Sequence, residues 1–432
     1  MTCHKKTIHE KDNPLYCCLG NGYDLHQKDK KFLNIKKLLF FCKKSILMRK
    51  LIFSLLTKFS LHVQILQMKR LLILVSMAAF CACTNHEKHA CNRKEITRIV
   101  PGQEMIVKHL QGYGIIGAYG DYLFLKEKRD TSRLVVYHVA GDSLTYFKGL
   151  INRGRGPFEF YYTEYSFGED SLFVSNSDPA GIREIYGIPL QDMSRIDDVS
   201  TWKKYPFREK DLQTGLSFAP YGKGRFIVMC GKPDTQEIFS LTDFNGKGRI
   251  PLRFWPDDPT PGPLHSKQMV YMQSSLCSRR DKIAYASLNA RYMFLASVAG
   301  EELMITAAIY PRLPQYQIKP DGNLRFSEEG EYGILLRTTP DYVYAQVGRT
   351  VREVNSADNY KGYPDYFVDE IEVYDWNGRF VDNYQTDRPF YSFAVSEDNR
   401  YLYTLTLDQD TSEPLLMRYE FSMSRTSNFH RE

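Results

Sequence analysis

From about residue 98 onward the chain never sustains an apolar period of 3.6 residues. It runs in short bursts of β-branched and aromatic residues, cut by Gly, Asn, Asp or Pro at short intervals. Nine of these bursts predict strands: 121–128 (DYLFLKEK), 133–139 (RLVVYHV), 171–177 (SLFVSNS), 182–189 (IREIYGIP), 225–230 (RFIVMC), 282–288 (KIAYASL), 341–347 (DYVYAQV), 371–376 (IEVYDW) and 400–407 (RYLYTLTL). The aromatic complement agrees, since 30 Tyr and 26 Phe against 3 Trp suit a pleated surface. An apolar fraction of 43% excludes disorder.

The strands fall into a longer unit: an approach led by Gly or Asp, a strong strand, a turn, a second strand and a charged hairpin. Six such units fit at 101–158, 159–210, 211–262, 263–325, 326–390 and 391–432. A sandwich has fewer strands than six four-stranded units supply, so the expected fold is an all-β, six-bladed β-propeller over residues 98–432. Two hairpin signals repeat, TDFNGKGRIPL at 242–252 and YDWNGRFVDNY at 374–384, where Asn-Gly supplies positive-φ residues for a tight turn between outer strands. The segment 393–405, FAVSEDNRYLYTL, reads as a blade opening. Closing such a ring calls for an N-terminal strand in the last blade, and EITRIVPGQEMIV at 95–107 is available for it.

Charge separates the N-terminal fifth from the rest. Residues 1–67 hold 13 Lys/Arg and 4 Asp/Glu, and no acidic residue occurs from Lys30 to His86. The formal +6 of the whole chain therefore belongs to this leader, and residues 83–432 carry about −5. Nucleic acid is not an expected partner, because phosphate binding needs a basic face on the folded part.

Residues 68–82 (MKRLLILVSMAAFCA) join a cationic start to a short apolar run and small residues, the layout of a secretory signal. Ala82 before Cys83 has the form of a lipobox, with Cys83 the expected lipidation site and residues 83–97 a polar tether. Diacylglyceryl and acyl chains together would anchor the protein stably. The expected location is the cell envelope, at the outer membrane. Residues 1–67 then read as an extension ahead of the natural start at Met68, with Met48 as second choice and a transmembrane hairpin as rival. Of the 9 cysteines, Cys91, Cys230 and Cys277 remain beyond Cys83, too few for a disulfide framework. Cys230 reads as a small buried hydrophobe, with a Cys230–Cys277 bridge as the alternative.

Residues 152–160 read NRGRGPFEF. This segment resembles the GRGPGEF-type stretch of lipoproteins from Bacteroides-like bacteria that carry a TolB-like six-bladed propeller. The resemblance implies the fold and lipid anchoring, and no activity. It departs at Phe158, where a small residue is usual, so the tight turn is expected from Gly154, Gly156 and Pro157. Arg153, Gly154, Arg155 and Gly156 form a candidate contact for an anion or a partner, through backbone N–H groups and guanidinium. The alternative is an interblade connection, with the arginines paired to acids of the neighbouring blade and Phe158 and Phe160 packed in the core.

No catalytic residue, metal site or cofactor is predicted. His109, His138, His265 and His430 are scattered, and no nucleophile elbow, phosphate loop or dinucleotide fingerprint occurs. The acidic pairs Asp197-Asp198, Asp257-Asp258 and Glu328-Glu329 read as solvated loops. Two functional classes stay open. One is a lipid-anchored module that binds a protein, peptide or glycan, with the Tyr-rich segment 356–370 as a contact surface. The other is an extracytoplasmic hydrolase or lyase with carboxylates or a metal in the central channel.

Overall fold

The computed structural model describes residues 98–421, apart from 108–109, 111, 128–131, 155, 157, 161, 179–180, 208–212, 223, 234, 244–247, 327–332, 349–363 and 365. The extension, the signal, Cys83 and the tether lie outside the described residues. Three short strands open it: β1 (Arg98–Val100), β2 (Gln103–Glu104) and β3 (Ile106–Val107). The first blade is β4 (Gly112–Tyr119), β5 (Tyr122–Glu127), β6 (Ser132–Ala140) and β7 (Ser143–Arg153), with β8 (Glu159–Phe160) parallel to the end of β7. The second is β9 (Tyr165–Phe167), β10 (Ser171–Asp178), β11 (Gly181–Pro189) and β12 (Lys203–Pro206). The third is β13 (Gln213–Pro220), β14 (Arg225–Gly231), β15 (Phe239–Asp243) and β16 (Gly248–Leu252).

A helix, α1 (Leu264–Met272), precedes the fourth blade, which is β17 (Ser274–Arg279), β18 (Lys282–Ser287), β19 (Met293–Ala299) and β20 (Glu302–Tyr310). A separate hairpin follows, β21 (Tyr316–Ile318) with β22 (Leu324–Phe326). The fifth blade is β23 (Ile334–Thr338), β24 (Tyr342–Val347), β25 (Val368–Asp375) and β26 (Phe380–Phe390). The sixth is β27 (Ser392–Val395), β28 (Tyr401–Leu407) and β29 (Pro414–Glu420), and its fourth strand is β2 from the other end of the chain, with Gln103 opposite Arg418. β1 lies parallel to β26 of the fifth blade and β3 parallel to β7 of the first. One N-terminal strap thus crosses the outer edges of three successive blades and closes the ring. Asp387 pins it, accepting hydrogen bonds from the Gly102 N–H at 3.1 Å and the Tyr419 hydroxyl at 3.0 Å. Any side chain at Gly102 would strike the Tyr419 ring.

Six apolar clusters account for the cohesion, one per blade junction. Phe124 and Ile151 meet Leu172 and Val174 between the first and second blades. Tyr205 meets Phe218 and Phe226 at the next junction, and Phe239 meets Tyr285 and Phe294 at the one after. Leu295 meets Leu336, and Tyr384 meets Phe393 and Tyr419. The sixth cluster, Leu125 and Val135 against Tyr403 and Leu405, joins the last blade to the first. A closed ring of six blades is the arrangement that leaves every sheet face covered and no long inner edge exposed.

The nine predicted bursts all become second or third strands of their blades, where both faces are buried. The 374–384 signal forms the β25–β26 turn: Asp375 accepts from the N–H groups of Asn377 and Arg379, both at 2.9 Å. Gly378 takes φ 82° there, and Asn377 is not among the positive-φ residues. In the 242–252 signal Gly248 has φ 72°, and 244–247 are outside the described residues.

Two sequence readings need correction. Asp258 is buried instead of solvated: its carboxylate takes the hydroxyls of Tyr271 at 2.8 Å and Tyr316 at 2.5 Å and the Thr260 N–H at 2.9 Å. It thereby fastens the 253–263 connection to both α1 and the β21–β22 hairpin. In the segment 356–370, residues 356–363 and 365 lie outside the described residues; of the others Tyr366 is exposed, but Phe367 and β25 from Val368 to Glu370 are buried and offer no contact surface. Asp197 is exposed and Asp198 half-buried, with Asp198 capping a 3-10 turn through the Ser200 N–H. Glu328 and Glu329 lie outside the described residues. Cys230 is fully buried, and Cys230 and Cys277 are both free thiols.

Candidate functional site

The innermost strands β4, β9, β13, β17, β23 and β27 adjoin one another in ring order. They enclose a channel of about 1580 Å³. Strand alternation sends Leu276 of β17 to the junction between the third and fourth blades and Cys277 to the one between the fourth and fifth, and the strand borders the channel along residues 274–278. Ser217 and Thr338 add hydroxyls from β13 and β23. Several of these hydroxyls are spent on the scaffold: Ser217 donates to Ser274 O at 2.6 Å, and Ser275 accepts the Leu336 N–H at 3.0 Å. The Ser274 hydroxyl is buried without a partner.

The charged side chains that line the channel include Lys126, Glu164 and Arg337. Lys126 pairs with Glu164 at 3.5 Å and sits 5.0 Å over the Tyr165 ring. Arg337, on β23, donates Nε to Phe393 O at 3.0 Å, Nη1 to Leu336 O at 2.9 Å and Nη2 to Ile115 O at 2.7 Å. Those bonds join β23 to β27 and β4, across the ring's closure. All three acceptors are neutral, and among the described residues no carboxylate pairs with this guanidinium directly; Glu164 and Cys277 act on it at longer range. Burial lowers the Arg337 pKa, as expected for a cation taken out of water. Beside it, burial pushes the Cys277 thiol up to about 11, against the opposing pull of Arg337.

At the end of the channel formed by the turns between first and second strands, charge is exposed. Glu169, in the β9–β10 turn, pairs with Arg279 at 3.5 Å and Arg280 at 3.7 Å, in the β17–β18 turn. These pairs join the second blade to the fourth, with Arg279 the last residue of β17. Arg280 holds φ 53°, a conformation that costs a non-glycine residue strain.

The segment singled out in the sequence sits away from this channel. Arg153 is exposed at the end of β7, and Arg155 and Pro157 are outside the described residues. The Gly156 N–H donates to Glu159 Oε2 at 2.8 Å, and that carboxylate also lies against Gly154. An internal carboxylate thus takes the N–H group offered to an outside anion. The left-handed residue of the turn is Phe158, at φ 58°. Expecting the turn from Gly154, Gly156 and Pro157 is therefore incomplete, because the strain falls on Phe158 itself. Phe158 is held there by Tyr186 at 5.8 Å and Trp202 at 6.1 Å, and Phe160 is wholly buried.

His138 packs on Tyr122 at 5.2 Å, and among the described residues no group of three or more His, Cys, Asp or Glu is arranged to hold a metal. Sequence reasoning passed over Arg337 and Ser274. ILLRT puts a lone arginine in an apolar strand, a signal for a channel-facing residue once β23 is known to be innermost.

Comparison with protein families and with curated proteins returns no match. Among solved structures the chain is similar to the β-propeller domain of Cps50 (Swd1) from Myceliophteria thermophila, at 11% identity and a TM-score of 0.37, over 74% of this chain and 100% of that one. The fold assignment rests on the six sheets and their six junctions.

Proposed function

We propose that this chain is a binding module of the cell envelope: a TolB-like β-propeller lipoprotein, tethered through lipid on Cys83 at the outer membrane, that engages a protein, peptide or glycan through its central channel. The observation that carries the binding role is a wide channel of mixed polar and apolar lining, with one guanidinium whose direct partners are all neutral carbonyls and one buried hydroxyl without a partner. Polar groups left unsatisfied in a concave site are what a ligand completes. The anchor reading is supported by the 68–83 sequence alone.

Two measurements test it. Cys83→Ser should abolish incorporation of labelled palmitate and release the protein from the membrane fraction; unchanged labelling would remove the anchor. Binding to immobilised peptides and oligosaccharides should fall when the channel is narrowed by Ser274→Trp. Retained binding in that variant would move the partner to the outer surface.

A further inference from the structure

Among the charges that line the channel, Lys126 is ion-paired with Glu164, while the hydrogen bonds of Arg337 go to backbone carbonyls and Glu164 reaches it only at longer range. A guanidinium has five N–H donors in a planar fork, and three are used here. The remaining donors belong to a side chain that borders the channel. A cation in a confined wall whose direct partners are all neutral biases the potential around it and gains from a counterion held against it. On the neighbouring strand β17, the Ser274 hydroxyl is a further donor with no partner. We propose that the channel selects anionic ligands and holds a carboxylate against Arg337. This rests on the channel being the binding surface, and adds the chemistry of what it takes.

Cys277 supplies a built-in reporter. It borders the channel next to Arg337, with Sγ 3.8 Å from Leu336 O, and Cys230, the other thiol among the described residues, is fully buried. Two methanethiosulfonate reagents of similar size, one bearing a sulfonate and one a trimethylammonium group, are applied to the full chain. In each case the thiolate attacks the reagent's sulfur, a mixed disulfide forms and methanesulfinate leaves, and the product at Cys277 is located by peptide mass. The anionic reagent should label Cys277 about tenfold faster than the cationic one, because a single unscreened charge nearby shifts local concentration by that order. Comparing the two rates cancels the high thiol pKa. Arg337→Gln should bring the ratio towards one and Arg337→Lys should keep it above one. Should Arg337→Gln fail to fold, the wild-type ratio and the lysine variant decide.

Protection from a neutral thiosulfonate then separates the sources of the carboxylate. Digalacturonate is set against neutral digalactose, and trialanine against its amide. Slower labelling with the acid member of either pair, and not with its neutral partner, supports the proposal and names the source. A ratio at or below one overturns it, as does protection by neither acid. A chain that shows the ratio and the protection but binds no larger peptide or glycan keeps this inference and loses the partner reading; bound partner with no charge selectivity does the reverse.

Discussion

The junction between the third and fourth blades and the channel wall beside it are made by the same strands and have opposite chemistry. β17 sends Leu276 into a cluster where Phe294 stacks on Tyr285 at 4.7 Å and meets Phe254 at 5.2 Å and Tyr292 at 5.7 Å. The same strand borders the channel along residues 274–278. The junction satisfies itself, with large rings in edge and offset contacts. The wall does not, since it keeps a buried hydroxyl without a partner and a guanidinium bonded only to neutral carbonyls. Stability is concentrated between blades, and the capacity to bind is left at the centre.

If that division is right, the largest losses come from the junctions. Phe294→Ala should cost about 3–5 kcal/mol in denaturant unfolding, the range for removing a buried ring that neighbours cannot refill. A loss under about 1 kcal/mol would mean the junction is loosely packed and the contrast is wrong. Truncating Ser274 to Ala should have the opposite character, leaving stability essentially unchanged because no hydrogen bond is lost.

Asp258 tests whether a polar group can do a junction's work. Asp258→Asn weakens the acceptor of two tyrosine hydroxyls and should cost about 1–3 kcal/mol. Burial pushes the carboxyl pKa up, but the bonds from Tyr316, Thr260 and Tyr271 outweigh it and leave the pKa lowered. A lowered folded-state pKa contributes stability that is full above the ordinary carboxylate range and fades as pH falls through the folded value. The gap between wild type and Asp258→Asn should therefore be constant near neutrality and shrink in acid. A gap that widens in acid would show that the pKa is raised.

The turn at Phe158 sets strain against packing. Phe158→Ala loses the contacts to Tyr186 and Trp202 and keeps the left-handed backbone. Phe158→Gly loses the same contacts and relieves a strain of about 1–2 kcal/mol. The glycine variant should be the more stable of the two by about 1 kcal/mol, read from parallel melting curves. Equal stability would mean that the turn relaxes in the alanine variant.

How much of this was legible follows from where each residue sits. The second and third strands, such as KIAYAS in β18 and YVYAQV in β24, are buried on both faces, so their sequences are strongly apolar and stand out. Inner strands such as SSLCSR in β17 face a polar channel on one side and carry no such signal. Helix α1, LHSKQMVYM, went unseen because it is one short element buried on more than one side, with Gln268 spent on the Lys232 and Glu237 carbonyls. The closing strand was legible because a ring needs one and only 95–107 was free to supply it. The pairing of Asp258 with tyrosines 13 and 58 residues away, by contrast, depends on three separate insertions meeting, which no local pattern encodes.

The smallest effect on stability is expected at the channel's rim. Glu169 pairs with Arg279 and Arg280 at 3.5 and 3.7 Å, but Glu169 and Arg280 are 61% and 77% exposed, so solvent and salt screen the interaction. Glu169→Gln should change unfolding free energy by less than about 1 kcal/mol, with the difference vanishing in high salt. Its consequence for the channel has the other sign. Losing this carboxylate leaves two guanidiniums at the mouth without their partner, so anionic thiol reagents should reach Cys277 about two- to threefold faster while the melting curve stays in place. A rim whose removal destabilises the fold and leaves entry unchanged would belong with the junctions, and the line between holding the ring together and admitting a ligand would have to be drawn deeper in the channel, at Arg337.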